Sequence, residues 1–379
     1  MPEWRLVSAN CKNSVYGFVG GCSMDDNLIK KINKHLADEE SKDIMCRRVL
    51  FSLTGDEAYI NPLGKNFRNS VISDSRWIEF VDLLESASDN GLVMYGAGAY
   101  GQMIIQMSQG IKWVKVIDNN GIGFCEGIAI AGVDEFLNAY SGETIVISSR
   151  KYREEMEKNL ISHGVSKDRI IDGTIIWELT EGKQYFDLDA LKPCGNEVFV
   201  DMGACDGLTS VWFMKWCNGN GYCYCFEPDK ANYECLVSSM RYKGIEVEKA
   251  YTLIKKGNWD KDTTLSFEQA GNAASHIVED AEETQSPNVV QIPVVALDNC
   301  LGEKGVTFIK MDIEGAELKA LKGAQKIIQE RKPKLAICVY HKPEDIWEIP
   351  EYILSLRDDY KLYLRHYSFG DMETVLYAI

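Results

Sequence analysis

Three stretches in the C-terminal half hold the side chains best suited to chemistry, and each is an apolar run that ends in an acid. The first is Glu197-Val-Phe-Val-Asp-Met-Gly-Ala-Cys-Asp-Gly-Leu-Thr-Ser210. Val198, Phe199 and Val200 read as a strand buried on both faces, and Gly203 and Gly207 permit a tight turn whose backbone meets a ligand closely. The second, Tyr222-Cys-Tyr-Cys-Phe226, ends in Glu227-Pro228. An acid about twenty residues beyond a glycine turn is placed to accept hydrogen bonds from two ribose hydroxyls. The third is Val306-Thr-Phe-Ile-Lys-Met-Asp-Ile-Glu-Gly-Ala-Glu317, with Asp312 at its tip. With a helix over 208–216, these form a nucleotide-binding start in a doubly wound sheet, the ligand lying across the carboxyl ends of the strands. The first loop has neither a phosphate-cradling lysine nor a full G-x-G-x-x-G, and Asp201 and Asp206 would repel a pyrophosphate. Three acidic tips favour the cationic ligand S-adenosylmethionine over NAD or ATP.

The ordered series resembles the FkbM-type S-adenosylmethionine-dependent methyltransferases. The resemblance rests on Phe199-Val-Asp-Met-Gly-Ala204 with Gly207, on Phe226-Glu-Pro228 with Asn232, and on Leu297-Asp298 leading to Ile309-Lys-Met-Asp-Ile-Glu-Gly-Ala-Glu317. It continues through Val339-Tyr-His341, Arg365-His-Tyr367 and Glu373-Thr-Val-Leu-Tyr377. One departure is Ala204-Cys205-Asp206, where many methyltransferases have a second glycine. The resemblance implies a cofactor site at Asp201, Gly203, Ala204, Asp206, Gly207, Ser210, Glu227, Asn232 and Asp312. Gln184-Tyr-Phe186 resembles an approach segment of these enzymes, so Tyr185 either lies over the cofactor or packs at a domain junction.

Methyl transfer from a sulfonium is an in-line displacement, which asks for an aligned acceptor oxygen and a group to remove its proton. Candidate bases are Asp312, Glu314, Glu317, His341 and His366. His341 caps the strand over 335–340 and reads as a base or substrate ligand, with a structural hydrogen bond as the alternative. His341, Asp312 and Glu317 form the expected catalytic set, and His366 reads as structural. Asp312, Glu314 and Glu317 offer hard oxygens that suit magnesium, but they also fit a solvated helix start, and no metal is assigned.

A second nucleotide-type unit precedes this half. Gly91-Leu-Val-Met-Tyr-Gly-Ala-Gly-Ala-Tyr-Gly101 has the G-x-G-x-x-G form after a strand and before a helix, and Asp118 ends the next strand. Ile128–Ile130 and Thr144–Ile147 read as further strands. Over 91–173 the chain is similar to the nucleotide-binding N-terminal domain of sugar acyltransferases. That similarity implies a nucleotide-sugar or dinucleotide pocket at Gly96, Gly98, Gly101 and Asp118, against which stands a fold kept only as scaffold.

The elements around these sites follow from pattern. Residues 1–90 read as a polar helical region, with helices over 25–36, 41–53 and 75–84, and weak cap signals at Asp43 and Ser75. A small Rossmann-like domain then spans 91–175, and 176–379 form the methyltransferase domain. Residues 151–164 read as a helix, 173–193 as a linker, 229–242 as a helix and 246–250 as the third strand of the catalytic sheet. Residues 255–276 are polar, glycine-bearing and interleaved with aromatics, and read as a wall of the site or a bare surface hairpin. The chain ends in a hairpin over 360–367 and 374–379. The fold class is therefore α/β: two Rossmann-like doubly wound domains, the second a seven-stranded sheet closed by an antiparallel pair.

Composition narrows the partners. A net charge of −16 over 379 residues argues against nucleic acid and anionic membranes. No run approaches eighteen apolar residues and the first residues lack a signal-peptide core, so a cytoplasmic protein is expected. The twelve cysteines lack zinc spacing and read as reduced, with Cys223 and Cys225 sharing a core face. The expected function is O-methylation of a hydroxyl on a sugar or other small-molecule or polysaccharide acceptor, by a chain that can form homo-oligomers. The rivals are a catalytically silent nucleotide-sugar binding protein and an NAD-dependent nucleotide-sugar oxidoreductase.

Overall fold

Short β-branched and aromatic runs flanked by glycines become the strands of two separate sheets, and the amphipathic stretches between them become helices. The computed structural model describes residues 26–242, 247–271, 274–278 and 287–379. Two compact units result. One comprises the described residues up to Asn61 with Leu188–His366 and Asp371–Ile379, and the other Pro62–Asp187 with Tyr367–Gly370.

The second unit holds strands β1 (Leu92–Tyr95), β2 (Trp113–Asp118), β3 (Phe124–Cys125), β4 (Ile128–Gly132), β5 (Thr144–Ile147) and β6 (Ile170–Asp172). Their order is β3-β4-β2-β1-β5-β6, all parallel but for β3. Val93, Tyr95, Ile117, Ile145 and Ile147 share its core with Phe136 and Leu160. Continuous burial of β1 and β5 matches parallel strands covered on both faces.

The first unit holds β7 (Glu197–Met202), β8 (Gly221–Phe226), β9 (Tyr251–Ile254), β14 (Phe308–Met311), β15 (Lys334–Cys338), β16 (Leu362–His366) and β17 (Thr374–Ala378). They form a seven-stranded sheet in the order β16-β17-β15-β14-β7-β8-β9. β17 runs antiparallel to both β15 and β16, which closes the sheet with the expected hairpin. A four-stranded sheet, β10-β13-β11-β12, is built from β10 (Gly257–Asn258), β11 (Thr263–Glu268), β12 (His276–Ile277) and β13 (Val289–Val295). Trp259, Phe267, Ile292, Val294 and Ala316 form its core.

Several local expectations are corrected. The third strand of the large sheet is Tyr251–Ile254, not 246–250, where Val247–Ala250 form a helical turn. The apolar Tyr-Thr-Leu-Ile run is what burial beside Cys223 and Cys225 selects. Glu246 lies outside the described residues, as do Asp25, the first residues of the chain, and Asn272 and Ala273. A helix at Asn61–Ile72 went unread, and Ile175–Thr180 forms a helix within the expected linker. Asp38, not Asp43, caps the helix Glu39–Thr54, accepting from the Ser41 N–H at 2.8 Å. Asp74 caps Ser75–Ser86 in the same way. The boundary between units divides the N-terminal helices: Asp26–His35 and Glu39–Thr54 belong with the large sheet. There the Leu364 N–H donates to Ser41 Oγ and Arg365 pairs with Asp38, so the helix start covers the edge strand β16. Among the described residues, no helix is long and apolar enough to cross a membrane.

Candidate active site

Strand register builds the site. Met202 on β7 pairs with Phe226 on β8 and with Met311 on β14. The residues that follow, Gly203, Glu227 and Asp312, therefore stand side by side at one sheet edge. β15 flanks β14 on the side away from Glu227, and His341 lies three residues beyond its end. A cavity opens here, lined by Gly203, Cys205, Glu227, Asn232, Asp312 and Glu314, with Asn258, Phe267, Ser275 and Ile277 from the four-stranded sheet and the loops beside it. Of the polar stretch over 255–276, Gly257, Asn258, Phe267 and Ser275 thus line the cavity.

Two glycines are dictated by packing. Gly203 has φ 79°, and a Cβ there would sit 2.0 Å from the Asp312 carbonyl oxygen. Gly207 has φ 80°, and its Cβ would meet Leu236 at 2.5 Å. Between them, the Cys205 N–H donates to Glu227 Oε2 at 2.9 Å and the Asp229 N–H to Oε1 at 2.9 Å. Glu227 is 4% exposed. Burial, with the charge of Asp229, pushes its carboxyl up to about 7 against the pull of these N–H groups and Lys310. Burial and the charges of Asp206 and Glu227 push the Cys205 thiol up to about 12, so it remains a thiol.

The remaining expected cofactor residues are not among those that line the cavity. Asp201 is fully buried, accepts from Ser210 Oγ at 2.6 Å and pairs with Lys310 Nζ at 3.1 Å. Lys310 Nζ also donates to the Gly203 carbonyl at 2.9 Å. Burial opposes the lysine's charge, but Asp201 and Asp312 hold it above the ordinary lysine range. The Ala204 N–H donates to the Phe226 carbonyl. Asp206 accepts from the Leu208 N–H and starts the helix Leu208–Trp216. Tyr185 belongs to the other unit, where it is 3% exposed and its hydroxyl accepts from Gln184.

The acidic end of the site is organised by His341. Its Nδ1 lies 2.9 Å from Glu317 Oε1, and its Nε2 lies 3.5 Å from both Asp312 Oδ1 and Glu314 Oε2. Glu317 is fully buried and also accepts from the Ile313 N–H at 2.8 Å. Burial disfavours charge on the ring, yet the carboxylates of Glu314, Glu317 and Asp312 push His341 up to about 11. These carboxylates favour the protonated ring, so His341 is surrounded by acids rather than standing alone at the strand tip. Of the carboxylates around His341, Asp312 and Glu314 line the cavity. His366 Nδ1 lies 2.9 Å from Thr374 Oγ1 inside the hairpin, a structural position.

Residues 201–376 match the family model of the methyltransferase FkbM domain. Residues 201–376 are thus a methyltransferase domain of the FkbM type. Residues 88–171 match a second model, C2185-like, N-terminal. A solved FkbM methyltransferase from Methylobacillus flagellatus is similar at 20% identity and a TM-score of 0.45, covering 86% of this chain and 100% of its own. Aeropyrum pernix fibrillarin, solved with bound S-adenosyl-L-methionine, is similar at 12% identity and a TM-score of 0.32, covering 51% and 71%. A SAM-dependent methyltransferase from Aquifex aeolicus is similar at 14% identity and a TM-score of 0.29, covering 48% and 82%. No curated protein matches the chain.

Sequence reading missed three contributors to the FkbM domain's site. Asn258 is 4% exposed and lines the cavity, and its Nδ2 has no hydrogen-bond partner. Lys310 was the one charge inside an otherwise apolar strand, a signal in itself. Tyr340 donates to Asp312 Oδ1 at 3.2 Å and to Glu373 Oε1 at 3.4 Å.

Proposed function

We propose that the FkbM domain transfers a methyl group from S-adenosylmethionine to a hydroxyl oxygen of a sugar or another small-molecule or polysaccharide acceptor. The observation that carries this reading is the charge of the cavity. Among the described residues its lining includes Glu227, Asp312 and Glu314 and no basic side chain, which attracts a sulfonium and repels a pyrophosphate.

The lining fits the cofactor in detail. Each Glu227 oxygen accepts one backbone N–H and keeps a second lone pair for a ribose hydroxyl. Gly203 leaves the turn open to close approach, and the Asn258 amide nitrogen is a buried donor awaiting an acceptor. When bound, the cofactor supplies a methyl group on a sulfur that leaves with the C–S bonding pair as a neutral thioether. Asp312 and Glu314 orient the acceptor hydroxyl and take its proton as the oxygen–methyl bond forms. Tyr340 holds Asp312 in place, and the four-stranded sheet excludes water with Phe267 and Ile277.

For the second unit we propose a nucleotide-sugar or dinucleotide as ligand. Support comes from Gly98, where an added Cβ would meet nothing within 4 Å. Asp118 ties the glycine turn by accepting from the Ala97 N–H at 3.0 Å. Calorimetric titration with S-adenosylhomocysteine, NAD and UDP-glucose tests both assignments. Homocysteine-nucleoside release across a panel of sugars and polysaccharides tests the acceptor. A chain that binds NAD at the FkbM cavity and ignores S-adenosylhomocysteine would sink the methyl-transfer reading.

A further inference from the structure

We propose that Asp312, Glu314 and His341 form a site for a divalent cation of the first transition row at the Asp312 wall of the cavity, with Glu317 as the positioning residue for the histidine. Three observations converge. Asp312, Glu314 and His341 each present a ligand atom, all within 4.8 Å of one another. The His341 side chain is 7% exposed, and neither ring nitrogen makes a hydrogen bond of good geometry, although Nε2 lies between two carboxylates. Its other nitrogen, Nδ1, lies 2.9 Å from the fully buried Glu317 carboxylate. A carboxylate on the far nitrogen is the arrangement that fixes tautomer and ring orientation in metal-bound histidines.

The spacing supports coordination over hydrogen bonding. Nε2 stands 3.5 Å from Asp312 Oδ1 and from Glu314 Oε2, too far for good hydrogen bonds. Two ligands each about 2.1 Å from one ion stand about 3.4 Å apart at a tetrahedral angle. Tyr340, which donates to the same Asp312 oxygen, gives that ligand its outer support. The donor set of one imidazole and two carboxylates suits manganese, iron or zinc better than a dedicated calcium site. Asp312 and Glu314 line the cavity, so the open coordination positions face the space where the proposed acceptor enters. This inference rests on the methyl-transfer reading and revises its acceptor side, since Asp312 and Glu314 as ion ligands would orient the acceptor hydroxyl and lower its pKa through the cation rather than act as free bases, but it is testable without cofactor or acceptor.

The experiment strips the full-length protein with a chelator and titrates it with Mn²⁺, following free ion by electron paramagnetic resonance. One ion per chain is expected, with nitrogen coupling from one imidazole in the pulsed spectrum. Glu314→Gln removes a ligand at a partly exposed position and should weaken binding at least tenfold without unfolding. Glu317→Gln touches no ion and should weaken it by about 10–100-fold. His341→Ala should abolish the nitrogen coupling. Absence of binding at millimolar Mn²⁺ and Zn²⁺, bound manganese without nitrogen coupling, or Glu314→Gln binding as well as the native chain would each overturn the site. S-adenosylhomocysteine affinity, measured separately, distinguishes failure of the cation site from failure of the cofactor assignment.

Discussion

Glu227 places two opposite demands on one carboxyl. As a ligand it must be ionised to accept from both ribose hydroxyls, and Glu227→Ala should weaken S-adenosylhomocysteine binding by about 2–4 kcal/mol in a folded protein. Calorimetry showing native affinity would remove the assignment. Its folded pKa of about 7 lies above the ordinary value of 4.5. The stability this group contributes is therefore fully present below 4.5 and lost as pH rises through about 7. Cofactor affinity should move the other way, falling roughly tenfold for each unit of pH below 7 as the carboxylate protonates. Titrations at pH 6 and pH 8 check this, and a flat profile would mean that Glu227 is not the ribose acceptor. Lys310 makes a different prediction. Lys310→Met leaves Asp201 buried and unpaired, at a cost of about 3–5 kcal/mol. Adding Asp201→Asn should recover part of that loss in a double-mutant cycle of denaturant midpoints, and strict additivity would argue against the pair.

Between elements, the tips of β7, β8 and β14 are locked together by backbone. The Cys205 N–H reaches Glu227, the Asp312 N–H reaches the Met202 carbonyl at 3.2 Å, and Gly203 packs against the Asp312 carbonyl. The second unit repeats the device at smaller scale, with the Ala97 N–H on Asp118 and Gly101 packed against the Gly96 carbonyl. In both, an acid at the next strand's end braces the glycine turn, so turn and acid form one object. Gly203→Ala would thus combine a left-handed backbone with a clash and should cost about 2–4 kcal/mol. A thermal melt within a degree of the native one would show that the two tips are free to part.

Across the whole molecule, two α/β units lie on one acidic chain, and each calls for a separate ligand test. Gly98→Val places its side chain where an added Cβ meets nothing, with φ −70°, so this variant should fold normally. If the second unit binds a nucleotide, NAD or a UDP-sugar should raise the native melting temperature and fail to raise that of Gly98→Val. No protection of the native chain at millimolar ligand would leave the unit as scaffold. Because the two ligands occupy different units, S-adenosylhomocysteine should protect both proteins equally.

Strand tips and glycine turns were legible in the sequence because they rest on local chemistry. Parallel strands buried on both faces read as unbroken apolar runs, a positive-φ turn calls for glycine, and an acid just past the strand is visible as Glu227 or Asp312. The seven-stranded order with its closing hairpin follows from those runs taken in sequence. Burial was not legible, and burial decided the roles. Asp201 and Ser210 read as cofactor residues, and that Lys310 reaches across from β14 to pair with Asp201, which also accepts from Ser210, was not visible in the sequence. His341 read as a base, a substrate ligand or a structural hydrogen bond, and the three carboxylates that the turn after β14 brings around it, which raise its pKa, were not visible in the sequence. Asn258 sits 54 positions before Asp312 in the chain and reaches the same cavity only through the pairing of β10 with β13. Charge state depends on what surrounds a group in space, and only the tertiary structure sets those neighbours.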